Sequence, residues 1–182
     1  MKNKFLIVLF AAVATLTSCK NEKEVSKEEN KDVKKYFNVE IEASAAKSDN
    51  FAMYFSEDGT TNFKDINAVW AGIKGGPEFQ KVTFNLSEEK MPTHIRLDFG
   101  LNNDQDSVVI KNVKVDYFGK DFQFKGSEFF KYFIEDKQFN TKIDAAKGTV
   151  TILKKDGVYK TPYYYPAQGS IDGIIKITST KK

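Results

Sequence analysis

The alternation of apolar and polar residues in Phe37-Asn38-Val39-Glu40-Ile41-Glu42 decides the fold of this chain. Side chains two residues apart lie on the same face of a strand, so this period predicts a strand with one buried face and one solvated face. The same period recurs at residues 81–86, 95–99 and 113–117. Because sheets with one solvated face are typically antiparallel, we predict half-buried antiparallel strands.

Turns rich in glycine, asparagine and aspartate separate further strand candidates, and no helical stripe of useful length is present. The best candidate for a short helical turn covers residues 127–134. The shorter strands are predicted at residues 51–55, 122–124, 150–153 and 174–177. About eight strands with little helix predict an all-β fold, an antiparallel β-sandwich of the jelly-roll type, for the domain at residues 36–182.

The beginning of the chain has the layout of a secretory signal peptide. Lys2 and Lys4 precede the apolar run Phe5–Leu16, which is about twelve residues long, short of the roughly twenty that span a bilayer as a helix. Leu16-Thr17-Ser18-Cys19 resembles the lipobox of bacterial lipoproteins. The resemblance implies that residues 1–18 are removed and that Cys19 is acylated.

The segment after this cysteine predicts a tether. Residues 20–35 are mostly lysine and acidic residues, so they bury too little apolar surface to offset the entropy of ordering. We expect residues 19–35 to form a disordered, acylated linker. The run Lys20-Asn21-Glu22-Lys23-Glu24 is similar to signals that direct some Bacteroidota lipoproteins to the cell surface. An outer-membrane lipoprotein facing the periplasm or the cell surface is therefore expected, with the lipid anchor as its only membrane contact.

Composition argues against several classes of function. Removal of residues 1–18 takes away Lys2 and Lys4 and lowers the formal charge from +3 to +1, and Arg96 is the single arginine, so nucleic acid is not an expected partner. With Cys19 acylated no thiol remains for a disulfide, a nucleophile or a metal. The single histidine, His94, argues against a zinc site or a Ser/His/Asp triad.

Two stretches carry a second resemblance. Ile95-Arg96-Leu97-Asp98-Phe99-Gly100 and, after a polar loop, Ile110-Lys111-Asn112-Val113-Lys114-Val115 resemble paired strands of jelly-roll carbohydrate-binding modules and other galactose-binding-like domains. This resemblance implies a β-sandwich that binds a polysaccharide or oligosaccharide. It leaves two long insertions unexplained, at residues 56–78 and 119–148.

Aromatic residues supply the candidate ligand contacts. Trp70, in a segment interpreted as a long loop or weak strand, would stack on a sugar ring or else pack with Phe63, Ile66 and Val69 as a core residue or loop plug. In Tyr163-Tyr164-Tyr165 the first and third rings are expected on one face and Tyr164 on the other. Flanking prolines suit an edge strand or a stiff loop. The cluster Phe129, Phe130, Tyr132 and Phe133 is predicted to be core; if exposed, it would make a patch that binds a partner.

Polar residues are the remaining candidates for contact with a ligand or a metal ion. Arg96 and Asp98 are expected on the solvent face of one strand, as an exposed ion pair or as a grip on sugar hydroxyls. Asp104 and Asp106 belong to an oxygen-rich loop that would suit a structural calcium ion or a plain turn; no other metal and no cofactor is expected. We expect non-catalytic glycan binding. The alternatives are a structural or interaction subunit that contacts envelope proteins and, third, a glycoside hydrolase.

Overall fold

The computed structural model describes residues 36–138 and 141–179. The predicted signal peptide, the acylation site Cys19 and the tether lie outside the described residues. Eleven strands are described: β1 (Phe37–Ala45), β2 (Asp49–Ser56), β3 (Ala68–Ile73), β4 (Gly76–Asn85), β5 (His94–Asp98), β6 (Ser107–Tyr117), β7 (Lys120–Lys125), β8 (Phe133–Glu135), β9 (Thr141–Asp144), β10 (Thr149–Ile152) and β11 (Tyr163–Pro166).

These strands form two antiparallel sheets. The first sheet has the order β4-β1-β6-β10-β9 with β7 also paired to β6, and the second has the order β3-β2-β5-β11-β8. Consecutive strands such as β1 and β2, or β5 and β6, belong to different sheets, so the chain wraps repeatedly from one layer to the other. The predicted antiparallel β-sandwich is confirmed, and both supposed insertions contribute strands to it: β3 and the start of β4, then β7, β8 and β9.

One hydrophobic core lies between the sheets. Val39 and Ile110 of the first sheet and Met53 and Leu97 of the second are fully or almost fully buried in the same cluster. Burying a side chain of this size stabilises the fold by about 1.5–3 kcal/mol, so the two apolar faces hold the layers together. The alternation that begins at Phe37 therefore forms strands because it supplies one of these faces.

Two α-helices of the described residues pack on the sandwich. The predicted helical turn is present as a 3-10 turn at Gly126–Glu128 followed by α1 (Phe129–Tyr132), which buries Phe129 completely. The strand predicted at residues 174–177 is wrong, because this segment belongs to α2 (Gln168–Thr178). Ile174 and Ile177 are both buried, and a spacing of three puts them on one face of a helix.

Candidate functional site

Five of the six predicted ligand-binding residues lie on one face of the second sheet, the face directed away from the core. Trp70 on β3 is opposite Ala52 on β2, Ala52 is opposite Asp98 on β5, and Asp98 is opposite Tyr163 on β11. Directly paired residues point to the same side of a sheet, so these four side chains form a row across four strands. We call this surface, with its neighbours Tyr54, Phe63, Arg96 and Tyr165, the outer aromatic face.

Arg96 lies at the centre of the outer aromatic face. Its guanidinium carbon is 4.0 Å from the ring centroid of Tyr54 and 4.4 Å from that of Tyr163. A guanidinium within about 6 Å of a ring centre is attracted to the negative face of the ring. Arg96 therefore holds two tyrosines of different strands on either side of itself.

Asp98 neutralises this arginine. Its two carboxylate oxygens accept hydrogen bonds from Nε and Nη2 of Arg96 at 2.8 and 2.7 Å. The prediction that this pair is exposed is wrong: the two side chains are only 12% and 5% exposed, because aromatic rings cover them. The pair is a buried, charge-assisted bond and does not reach freely into solvent.

Burial also changes the acidity of the pair. Loss of hydration raises the pKa of Asp98 to about 6, against the opposing effect of the Arg96 hydrogen bonds and charge. The pKa of Arg96 is raised although burial opposes this, because its bonds to Asp98 favour the charged form. Arg96 stays charged at every physiological pH, whereas Asp98 can take up a proton in mildly acidic solution.

A pH-dependent change at the outer aromatic face follows. The folded protein binds the Asp98 proton more tightly than the unfolded chain, whose carboxyl has the ordinary pKa of 3.8, so the stability contributed by this group declines as the pH rises from about 4 to about 6.

We expect Trp70 fluorescence to titrate with a midpoint near pH 6, because Arg96 stacks on Tyr54, which contacts Trp70. Asp98→Asn should abolish the transition. His94 shares this face, so a transition lost in His94→Gln and kept in Asp98→Asn would contradict the assignment.

The tryptophan itself is accessible. Trp70 lies on the edge strand β3, in the segment interpreted as a loop or weak strand, and half of it (50%) is exposed. Its ring meets that of Tyr54 edge-on, with centroids 6.2 Å apart. Ile66, one of its expected packing partners, is itself exposed. Trp70 is therefore not a buried plug, and its ring offers apolar area to a ligand.

The tyrosine run divides between the faces as predicted. Tyr163 and Tyr165 are half-buried on the outer aromatic face, whereas Tyr164 is fully buried in the core and is not available to a ligand. The prediction of an edge strand is wrong, because β11 lies between β5 and β8. The carbonyl of Pro162 accepts a hydrogen bond from the Phe99 amide, so the proline at this end supplies an acceptor where it lacks a donor.

Tyr54 and Phe63 are part of the outer aromatic face that sequence reasoning missed. Phe63 comes from the β2–β3 loop and lies 5.9 Å from the Tyr165 ring and 5.7 Å from the Arg96 guanidinium. The signal for Tyr54 was its place in β2, since it alternates with the core residues Met53 and Phe55. Phe63 gave no such signal, because loop residues carry no period.

A polar cavity of about 280 Å³ adjoins the same loop. Ser56 follows Tyr54 on the same side of β2, so the cavity continues the outer aromatic face towards the end of the strand. The Glu57 carboxylate pairs with Lys90 at 3.1 Å. The lining side chains are Ser56, Glu57, Asp58, Asn62, Lys64 and Asn67. This mixture of donors and acceptors suits hydroxyl groups.

The oxygen-rich loop has the contacts of a turn. Asn102 Oδ1 accepts a hydrogen bond from the Asp104 amide at 2.9 Å, and the Asp104 carboxylate pairs with Lys154 at 3.6 Å. The backbone carbonyl of Asp106 accepts from the Ile152 amide. Within residues 36–138 and 141–179, no group of three or more His, Cys, Asp or Glu side chains is arranged to hold a metal ion.

Comparison with protein-family models, with curated proteins and with solved structures found no match. Over the described ranges, no helix has both the length and the apolar character needed to cross a membrane. The fold and the outer aromatic face are therefore the basis for a functional assignment.

Proposed function

We propose that this protein binds a glycan on the outer aromatic face of its second sheet, without catalysis. The observation that carries the proposal is the row of Trp70, Ala52, Asp98 and Tyr163 across β3, β2, β5 and β11, with Tyr165 on the same face. Sugar rings have apolar C–H faces that pack on exposed aromatic rings, and their edges need hydrogen-bond partners. The half-exposed Trp70 supplies the first need, and the adjoining polar cavity supplies the second.

Arg96 and Asp98 act in this site as positioning residues. Their side chains are nearly buried and bonded to each other. They therefore fix the half-buried Tyr163, which would contact the ligand, and the buried Tyr54 on the other side of the guanidinium. A binding surface whose rings are already held in place loses less entropy when the ligand arrives. The same bond supports a non-catalytic role, because the central carboxylate is engaged by Arg96 through both of its oxygens.

The proposed setting is the bacterial envelope. The lipobox-like sequence at Cys19 and the charged segment after it support a lipid-anchored protein that holds polysaccharide near the cell. Proteolysis and mass spectrometry of membrane fractions would test the anchor: an acylated peptide beginning at Cys19 is expected. A chain that still carries residues 1–18 would contradict it.

Trp70 fluorescence tests glycan binding. Trp70 is the only tryptophan, so a change in its emission during titration with a panel of soluble polysaccharides reports on this face alone. We expect at least one neutral polysaccharide to shift or quench the emission. Calorimetry should then show at least a tenfold weaker affinity for Trp70→Ala, since a buried aromatic contact contributes more than about 1.4 kcal/mol.

Phe79→Ala is the matched control, because Phe79 is an exposed aromatic (44%) on the first sheet. It should bind as tightly as the unaltered protein. The glycan proposal fails if no glycan changes the emission and the unaltered protein, incubated with an envelope extract, instead co-purifies with one envelope protein in stoichiometric amount.

A further inference from the structure

The first and last described residues both lie next to the β6–β7 hairpin, at one end of the sandwich. Phe37, the first residue of β1, pairs with Tyr117 at the last position of β6. Lys120 Nζ donates a hydrogen bond to the carbonyl of Ser179, just after α2, at 3.1 Å. Residues that precede Tyr36 or follow Ser179 therefore join the domain at this one end.

Phe118 occupies the tip of that hairpin. Phe118 and Gly119 are the two central turn residues and have φ angles of 50° and 78°. A tight hairpin turn with both φ angles positive favours Asn-Gly, because a residue with a bulky side chain is disfavoured in the left-handed region. The ring is nevertheless 46% exposed, stacked edge-on against Tyr117 at 4.7 Å. A large apolar ring is thus held towards solvent in an unfavourable conformation, which points to a function.

An apolar groove of about 340 Å³ lies beside this ring. Its walls are the hairpin residues Tyr117, Phe118 and Lys120 together with Ile177 and Thr178 at the end of α2. Ile175, on the last turns of the same helix, is also exposed. We call Phe118, Lys120, Ile175 and the groove the tether-end patch. It presents apolar side chains with a lysine among them.

Charge around the patch is complementary to an anionic surface. Lys120 belongs to the hairpin and Lys176 to the helix. In the sequence outside the described ranges, positions 34, 35, 181 and 182 are also lysine. The nearby acids Asp116 and Asp121 each have an oxygen within 4 Å of Lys114, which offsets part of their charge. Aromatic and aliphatic side chains with interspersed lysines are typical of surfaces that rest in the lipid interface.

We propose that the tether-end patch docks on an anionic lipid surface. The inference rests on the proposed anchor at Cys19 and on the tether that the sequence predicts at residues 19–35. A flexible chain of that length would reach roughly 20–25 Å and would keep the patch at high effective concentration near the bilayer. With this end on the membrane, the strands of both sheets would point away from the bilayer surface. The outer aromatic face is then turned sideways, open to a polysaccharide chain.

Vesicle binding tests the patch without acylation. The fragment Lys20–Lys182 contains the whole core, so it keeps the fold and lacks the apolar leader. We expect it to sediment with vesicles of equal parts phosphatidylcholine and phosphatidylglycerol, and to bind them about tenfold less strongly when Phe118→Asn removes the exposed ring that the lipid interface would bury. The same variant should melt at a higher temperature, because asparagine suits the turn better. Equal lipid affinity for Phe118→Asn and the unaltered fragment would overturn the proposal.

A second readout identifies what covers the patch. In a Trp70→Phe background, the tryptophan emission of Phe118→Trp should shift to shorter wavelength when vesicles are added, and brominated lipids should quench it. Phe79→Trp is the matched control, because Phe79 is equally exposed, has Lys111 over its ring at 5.3 Å and belongs to β4 near the opposite end of β1. A Phe118→Trp signal that is already blue-shifted without vesicles, or that changes with protein concentration alone, would mean that the chain itself or a second copy fills the groove and would overturn docking on lipid.

Discussion

Arg96→Ala is expected to lower the free energy of unfolding by about 3 kcal/mol, because it leaves the buried Asp98 carboxylate without its partner. The loss should be measured by urea denaturation at neutral pH, where Asp98, with a pKa of about 6, is mostly ionised. The variant should also bind glycan poorly, since Tyr54 and Tyr163 lose the guanidinium that lies between them. One substitution thus tests both the burial of the pair and its role in positioning.

Two controls separate these effects. Lys81→Ala breaks an exposed pair, Lys81 to Glu40 at 3.0 Å, and should change stability by less than about 1 kcal/mol. The double variant Arg96→Met with Asp98→Leu removes both charges and should recover most of the stability, because replacing a whole buried ion pair by apolar residues is often neutral. It should still bind glycan weakly. An Arg96→Ala protein as stable as the Lys81→Ala protein would mean that the pair is solvated.

Phe129→Ala is expected to have the larger effect on the fold, a loss of about 4 kcal/mol in the free energy of unfolding. Phe129 is fully buried in α1, and its ring lies 5.0 Å from that of Phe133 and 5.3 Å from that of Tyr164. Removing it leaves a cavity that these rings cannot refill. Chemical denaturation of the variant beside Phe118→Ala, which truncates an exposed ring, measures the difference. A loss below about 1 kcal/mol would contradict the packing described for α1.

The strands could be predicted from sequence because their signal is local. A period of two at residues 37–41 or 95–99 reports directly on a face that is buried along its whole length. The helix α2 was missed because Ile174 and Ile177 lie in a short apolar run that fits either period, and because Gly173 weakens a helical pattern. The glycine has a structural reason: a Cβ there would lie 2.7 Å from the ring of Phe122.

The candidate site could be predicted only in part. The side of the sheet that Tyr163 and Tyr165 occupy follows from alternation, as does the inward direction of Tyr164. Their place on the same face as Trp70 depends on the strand order β3-β2-β5-β11, which no local pattern encodes. The burial of Arg96 and of its partner Asp98 was missed for the same reason, since Tyr54 and Phe63 reach Arg96 from another strand and a loop.

Glycan contact on the outer aromatic face is measured most directly by aromatic-ring NMR shifts in the presence of the tightest-binding polysaccharide. We expect the ring signals of Trp70, Tyr163 and Tyr165 to move during the titration, while those of the buried Tyr164 and the distant Phe79 stay in place. If the polysaccharide binds while Trp70 and both outer tyrosines stay unchanged, the site lies elsewhere and the account is contradicted.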